Sequence, residues 1–578
     1  MELARFLPIA RGDEPADLLL RNGSVVNVFT GEILEADVAI AEDTIVGVGP
    51  AYDAEKETDL EGRYVCPGLI DAHVHIESSM VTPPEFARAV LPRGTTTVVT
   101  DPHEIANVAG AEGIRYMLDV SEGLPMTVFV NLPSCVPATH MATAGAELGA
   151  HDLVELAGRP RVVGLAEFMN VPGLVMGDPL ALAKIEAFRD RVIDGHSPEL
   201  TGMWLQAYVG AGPGSDHECT TPEEMTEKLR LGMRVFLREA TGAKNLRALV
   251  PAVTEQNSRR CGFCTDDRHP TDLLDEGHID HMVRVAVAEG LDPVTAIRMA
   301  TLNVAEWFRL RDRGAVAPGR RADLVVFSDL EDFRPEMVFA GGQLAARKGE
   351  QVGAWPRTSP NASAVRGTVN VDWDDLSFAI VPPDAAAASV EARVIGLIPD
   401  QIVTRHLIED VPVRNGEAVV DTDRDILKLA VVERHHATGN VGLGFLRGLG
   451  LKRGALAGSV GHDAHNLTIA GCDDVSMMTA ARAVGKLGGG LVAAAGDEVL
   501  AEVPLPIAGL MSDQPMETVR RQMDALVEAA HALGSGLHDP LMTLGFVALE
   551  VIGSLKLTDK GLVDVEAFDF VPLFVDES

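Results

Sequence analysis

Apolar and polar positions change period several times along this 578-residue chain, and each change predicts a different architecture. Short runs at 17–20, 24–28, 36–41 and 44–48 are broken by Asn22–Gly23, Gly31, Gly47 and Gly49, which predicts a small β unit. The same texture returns at 322–327 and 337–342, so both segments are expected to build one discontinuous β-sandwich. Between them, strand-like apolar runs alternate with helical stretches, the signature of βα units and a parallel sheet. The runs at 65–70, 95–100, 127–132, 162–168, 192–194, 215–216, 233–237 and 261–265 number eight, as a (β/α)₈ barrel requires. Beyond about residue 367 the pattern mixes β runs at 418–421, 427–432 and 490–495 with a helix at 517–533, and residues 385–388 form a loop after Pro382–Pro383. The expected α/β organisation is therefore β-sandwich over 1–66 and 315–366, barrel over 67–314, and a C-terminal α+β domain over 367–578.

Composition narrows the class of partner. A formal net charge of −36 argues against a nucleic-acid partner, which calls for a basic face. No apolar run reaches the ~18–20 residues of a membrane span, and the charged N-terminal residues lack the apolar centre of a signal peptide. Six cysteines over this length do not make a disulfide framework. A cytoplasmic enzyme acting on a small molecule is expected, and a homodimer is the expected assembly. Gly488–Gly490 lacks the Lys-Ser/Thr of a phosphate loop, and no internal repeat is evident.

Candidate chemistry collects at the ends of the predicted strands. His73 and His75 in Asp71–Ala72–His73–Val74–His75 are two residues apart, so on a strand they share one face. Such a pair suits a divalent metal, although on its own it also fits two structural histidines. Successive strand ends then bring Glu167, His196, His217 and Asp266, and in a barrel all of these share the C-terminal face, where active sites sit. Four imidazoles and two carboxylates exceed the needs of one tetrahedral ion and suit two ions with a bridging carboxylate. The mixed N/O donor set is compatible with Zn²⁺, Mn²⁺ or Fe²⁺.

The order HxH, Glu, His, His, Asp on a β/α barrel resembles the amidohydrolase superfamily. So does the stretch Ala296–Asn303 followed by Arg313–Val326, which looks like that superfamily's exit from barrel into sandwich. Within it, the blocks DAHVHIESS, TDPHEIANV, SCVPA, AEFMN, DGH, SDHE and TDDRHP are similar to the bacterial-type adenine deaminases. The resemblance implies hydrolytic deamination of adenine to hypoxanthine and ammonia at a metal-dependent binuclear centre held by His73, His75, Glu167, His196, His217 and Asp266. Mn²⁺ is the expected ion, ahead of Fe²⁺ or Zn²⁺. Glu167 stands where many members carry a bridging carboxylated lysine, and Asp266 is the expected proton carrier. An acid must also serve the purine ring. Glu77, two residues past His75, is expected on the ligand side by strand alternation, as catalytic and substrate-contacting group. Glu199, in His196–Ser197–Pro198–Glu199, resembles the HxxE of other deaminases, and His103 and Glu104 are further candidate substrate contacts. His75–Ile76–Glu77 and Cys261–Gly262–Phe263–Cys264 superficially match the cytidine-type signature. Arg260 stands in place of its proline, however, and the cysteines read as buried strand residues. His435, His436, His462 and His465 of the C-terminal region read as loop residues near the barrel mouth or at a subunit contact. Two other functions compete: a cyclic amidohydrolase of the hydantoinase kind, and a non-catalytic scaffold. The filled ligand positions speak against the scaffold.

Overall fold

The computed structural model describes residues 1–355, 362–399 and 401–575, so part of the expected 315–366 segment lies outside the described residues. Ala16–Asn27, Glu32–Ala41, Thr44–Val48, Ala54–Asp59 and Tyr64–Pro67 join Leu324–Phe327, Met337–Ala340, Gln343–Arg347 and Glu350–Gln351 in one nine-stranded sheet. The two sequence segments meet where Tyr64–Pro67 pairs antiparallel with Leu324–Phe327. The strands of both segments thus form one continuous hydrogen-bonded sheet. Asn22–Gly23 is a β-bulge inside a single strand, not a turn between two. Asn22 takes a left-handed conformation (φ 55°) that Asn tolerates, and the extra residue keeps the ladder going on both sides.

The middle region contributes two arcs of parallel strands. β1 (Leu69–Val74), β2 (Thr95–Thr100), β3 (Thr127–Leu132), β4 (Val162–Phe168) and β5 (Val192–Gly195) form a five-stranded sheet. β6 (Ser215–Asp216), β7 (Arg234–Arg238) and β8 (Cys261–Cys264) form a three-stranded one. Between the arcs, the Gly214 amide donates to the Ile193 carbonyl at 3.0 Å, and the Asp266 amide donates to the His73 carbonyl at 3.0 Å. Asp71, fully buried in β1, secures the second junction by accepting from the Thr265 amide at 3.1 Å and the Thr265 hydroxyl at 2.5 Å.

β1 starts four residues later than its apolar run suggested, because 64–67 belong to the outer sheet. The switch falls at Gly68, where a Cβ would stand 2.1 Å from Thr96 Oγ1. Only glycine allows so close an approach. Cys261 and Cys264 are buried free thiols of β8.

The C-terminal region is β-rich. Its nine-stranded sheet is antiparallel except where Ser389–Leu397 runs parallel to Val441–Arg447. Ile426–Val432, buried throughout, lies between Val441–Arg447 and Leu467–Gly471. Helices Asp474–Leu487 and Met516–Leu533 pack on this sheet, and the run expected at 418–421 reaches only Glu417–Ala418. One apolar core is continuous from Val74, Phe86 and Val98 of the middle region to Leu427, Leu456, Met511 and Leu526 of the C-terminal one. Backbone bonds bridge the same junction, the Ser512 amide donating to the Met80 carbonyl at 2.8 Å. Among the described residues, no helix is long and apolar enough to cross a membrane.

Candidate metal centre

Every residue expected as a metal ligand comes to the C-terminal ends of the parallel strands. Glu167, at the end of β4, is central. Its Oε1 lies 3.2 Å from His75 Nε2 and 3.7 Å from His73 Nε2, and its Oε2 lies 2.7 Å from His196 Nδ1 and 3.3 Å from His217 Nε2. Asp266, just past β8, presents Oδ1 3.2 Å from His75 Nε2 and 3.6 Å from His73 Nε2. All six side chains are buried.

Neighbouring groups aim these ligands. His75 Nδ1–H donates to the Asp101 carbonyl at 2.9 Å, a second bond that turns Nε2 toward the centre. The His196 amide donates to the Tyr208 hydroxyl at 3.0 Å, and that hydroxyl donates to the Phe168 carbonyl at 2.7 Å, so a residue of helix Gly202–Ala211 sets the turn after β5. Arg238, at the end of β7, donates to Asp266 Oδ2 at 2.9 Å and also bonds Glu218.

The donor set fits a divalent cation. His73 Nε2 and His75 Nε2 face one another at 3.0 Å, and His196 Nε2 is buried without a hydrogen-bond partner. Lone pairs so placed are stabilised by a shared positive charge. Burial works against charge on His217, yet Glu167, Asp266 and Glu218 outweigh it and push its pKa up to about 9. The pocket therefore draws cations, and imidazole with carboxylate at this spacing is chemistry for a transition metal.

A cavity opens over the cluster. His103 and Glu104, from the start of helix His103–Val120, line it. His103 also joins the cluster, with Nδ1 3.4 Å from Glu167 Oε1 and 3.0 Å from Asp101 Oδ2. Two expected contacts fall elsewhere. The chain leaves strand geometry after Val74 and makes a 3₁₀ turn over Ile76–Ser79, so alternation does not govern Glu77. Glu77 is buried off the cavity wall, its Oε1 accepting from the Ile105 amide at 3.2 Å. Burial pushes its carboxyl up to about 7. Glu199 is an exposed turn residue with φ 56°, its amide bonded to Glu224.

The cavity is also lined by Glu218, Arg238, Asp267 and Asp463, to which the sequence reading gave no role, and by His462, expected in a loop near the barrel mouth or at a subunit contact. The first three sit at strand ends and were legible there. The last two come from the C-terminal region, as do the apolar wall residues Ile402, Met542 and Phe546. His435 and His436 stay outside, bonded to the Ala464 and Ala144 carbonyls.

Residues 64–345 match the amidohydrolase family model, and residues 401–569 match the adenine deaminase C-terminal domain. An adenine deaminase of Desulfatibacillum aliphaticivorans is 55% identical over 572 residues, 99% of both chains. The chain belongs to the adenine deaminase family. Adenine deaminase 2 of Carboxydothermus hydrogenoformans is 50% identical over 98% of this chain and 99% of its own. Among solved structures, the β-aspartyl dipeptidase of Fervidobacterium islandicum is 16% identical with a TM-score of 0.45, over 58% of this chain and 98% of that one. As a family member the chain is a hydrolase of the amidohydrolase type, and its cluster is suited to the divalent metal that such enzymes use.

Proposed function

We propose that this chain deaminates adenine hydrolytically, releasing hypoxanthine and ammonia, at two divalent ions held by His73, His75, Glu167, His196, His217 and Asp266 on a closed (β/α)₈ barrel. The observation that carries the binuclear reading is the division of Glu167: one oxygen faces His73 and His75, the other His196 and His217. A carboxylate so divided would serve as the bridge between two ions, with no modified lysine needed. Mn²⁺ is the ion proposed, with Fe²⁺ and Zn²⁺ compatible with the donors. Bound there, divalent ions supply the Lewis acidity that makes water a nucleophile near neutral pH.

The chain's own groups do the rest. Arg238 holds one oxygen of Asp266, leaving the other on the cavity side of His75. A carboxylate so fixed takes the proton lost when water adds to the amino-bearing carbon and returns it to the departing amine. His103 and Glu104 face the same space and are the proposed contacts to the purine ring. The apolar wall of Met542 and Phe546 covers the flat heterocycle and excludes water. The division into units over 1–66 with 315–366, 67–314 and 367–578 belongs to the same reading.

The test is ammonia release from a purine and pyrimidine panel by enzyme stripped of metal and titrated with Mn²⁺. Adenine turnover should rise linearly to two equivalents per chain. Full activity at one equivalent would defeat the binuclear assignment, and ring opening of hydantoin without ammonia would favour the cyclic amidohydrolase.

A further inference from the structure

Glu104 is gripped from the far end of the chain. Its Oε1 accepts from His462 Nδ1 at 2.6 Å, and its Oε2 is in hydrogen-bond contact with His465 Nε2. These partners lie 358 and 361 residues away in sequence, and all three side chains are buried. A carboxylate at the end of a glutamate side chain rotates freely about its last torsion. One donor on each oxygen leaves it a single orientation.

Glu, His and His are also metal-ligand types. Metal content of the variants tells the two readings apart, since the 2.7 Å contact of His196 Nδ1 with Glu167 Oε2 shows that separation alone does not. At 2.6 Å the His462 contact has the length of a hydrogen bond.

The histidines are themselves held. The His462 amide donates to the Gly545 carbonyl at 3.0 Å, and the His462 ring stacks on Phe546 with centroids 4.4 Å apart and planes 8° from parallel. The loop between them is fastened by His435 Nε2–H to the Ala464 carbonyl at 2.7 Å, by Arg434 to the His465 carbonyl, and by Asn466 Nδ2 to the Thr143 carbonyl at 2.9 Å. His465 Nδ1 is buried without a hydrogen-bond partner, a cost that the fold accepts while presenting Nε2–H to Glu104. Burial alone would raise the Glu104 carboxyl, but His462, His465 and His103 outweigh it and hold it well below the usual carboxylate range.

We infer that His462 and His465 of the C-terminal region are positioning residues, which lock the Glu104 carboxylate in the orientation that receives the substrate ring. This rests on the proposed role of Glu104 as a substrate contact. It gives the C-terminal region a part in turnover beyond covering the cavity.

A double-mutant cycle on the Mn²⁺-loaded enzyme tests it. Glu104→Gln, His465→Phe and their combination are compared for kcat, KM, metal content and thermal midpoint. His465→Phe should lower kcat by about 10²-fold at unchanged metal content, the scale of a misplaced contact. His465→Gln, whose amide nitrogen falls near the imidazole Nε2, should recover all but about fivefold. In the Glu104→Gln background His465→Phe should cost less than about threefold more, because the group it orients is already disabled. Multiplicative losses, or a His465→Gln variant as slow as His465→Phe, would overturn the inference and leave the role of Glu104 standing. Wild-type turnover by Glu104→Gln would instead defeat that role, and the inference with it. Should His465→Phe not fold, the same cycle with His462→Phe, rescued by His462→Asn, gives the same decision.

Discussion

At the scale of single residues, carboxylates that look alike in sequence take different jobs according to what surrounds them. Asp266 is buried, with one oxygen held by Arg238 and the other directed at His75. Glu199, another candidate for proton chemistry, stands in solvent on a turn. Asp266→Asn is expected to cut kcat by at least about 10²-fold, the usual scale for a lost general base. Glu199→Gln should stay within about twofold, as surface changes do. Steady-state kinetics on both variants at equal Mn²⁺ content checks the pair, and a Glu199→Gln loss as deep as that of Asp266→Asn would return Glu199 to the site. Glu77 lies between these cases. Its link to the Ile105 amide ties the turn after β1 to the helix that carries His103 and Glu104.

At the scale of elements, short strands need help to hold their loops, and β6 has two residues. The helix Pro222–Arg230 supplies it through Lys228, whose fully buried ammonium donates to the Ser197 carbonyl at 2.6 Å, Asp216 Oδ2 at 3.0 Å and Glu224 Oε1 at 2.7 Å. Asp216 also accepts from the Ser197 amide at 2.8 Å and the Glu218 amide at 3.1 Å. One ion network therefore holds the loops that carry His196, His217 and Glu218. Removing its cation leaves two buried carboxylates uncompensated, which costs about 3–5 kcal/mol. Urea unfolding of Lys228→Met should show a loss of that size, with His196 and His217 less well held and Mn²⁺ affinity lowered. A loss under about 1 kcal/mol would mean that water reaches the network.

At the scale of the molecule, a net charge of −36 is carried by a fold whose regions share one continuous apolar core. Like charges at that density repel more in the compact state than in the extended chain, and salt screens them over about 8–10 Å. The thermal midpoint of the metal-loaded protein should therefore rise as NaCl goes from about 0.05 to about 0.5 M, read by differential scanning fluorimetry. A fall would show that surface ion pairs such as Arg21–Glu57 outweigh the general repulsion.

The sequence by itself determined which histidines and carboxylates meet at the ends of the parallel strands. His73, His75, Glu167, His196, His217 and Asp266 are local to strand ends, so apolar runs narrowed the candidates and the order HxH, Glu, His, His, Asp selected among them. The same local logic located most strands and the helix at Met516–Leu533, because periodicity is a property of neighbours in the chain. Local periodicity was misleading where the backbone changed state without a change in polarity. Apolar character runs unbroken through Gly68 while the chain passes from the outer sheet to β1, and Glu77 follows an alternating pattern into a 3₁₀ turn. Only the tertiary structure decided what surrounds Glu104. The sequence placed His462 and His465 in a loop near the barrel mouth or at a subunit contact, but no strand end or helical period there assigned them a partner. Their aim depends on the continuous core and cross-region hydrogen bonds that bring that loop to the cavity. A contact across more than 350 residues leaves no trace in the local pattern of one sequence, since hydrophobic spacing records which face a residue takes and not which partner it meets there.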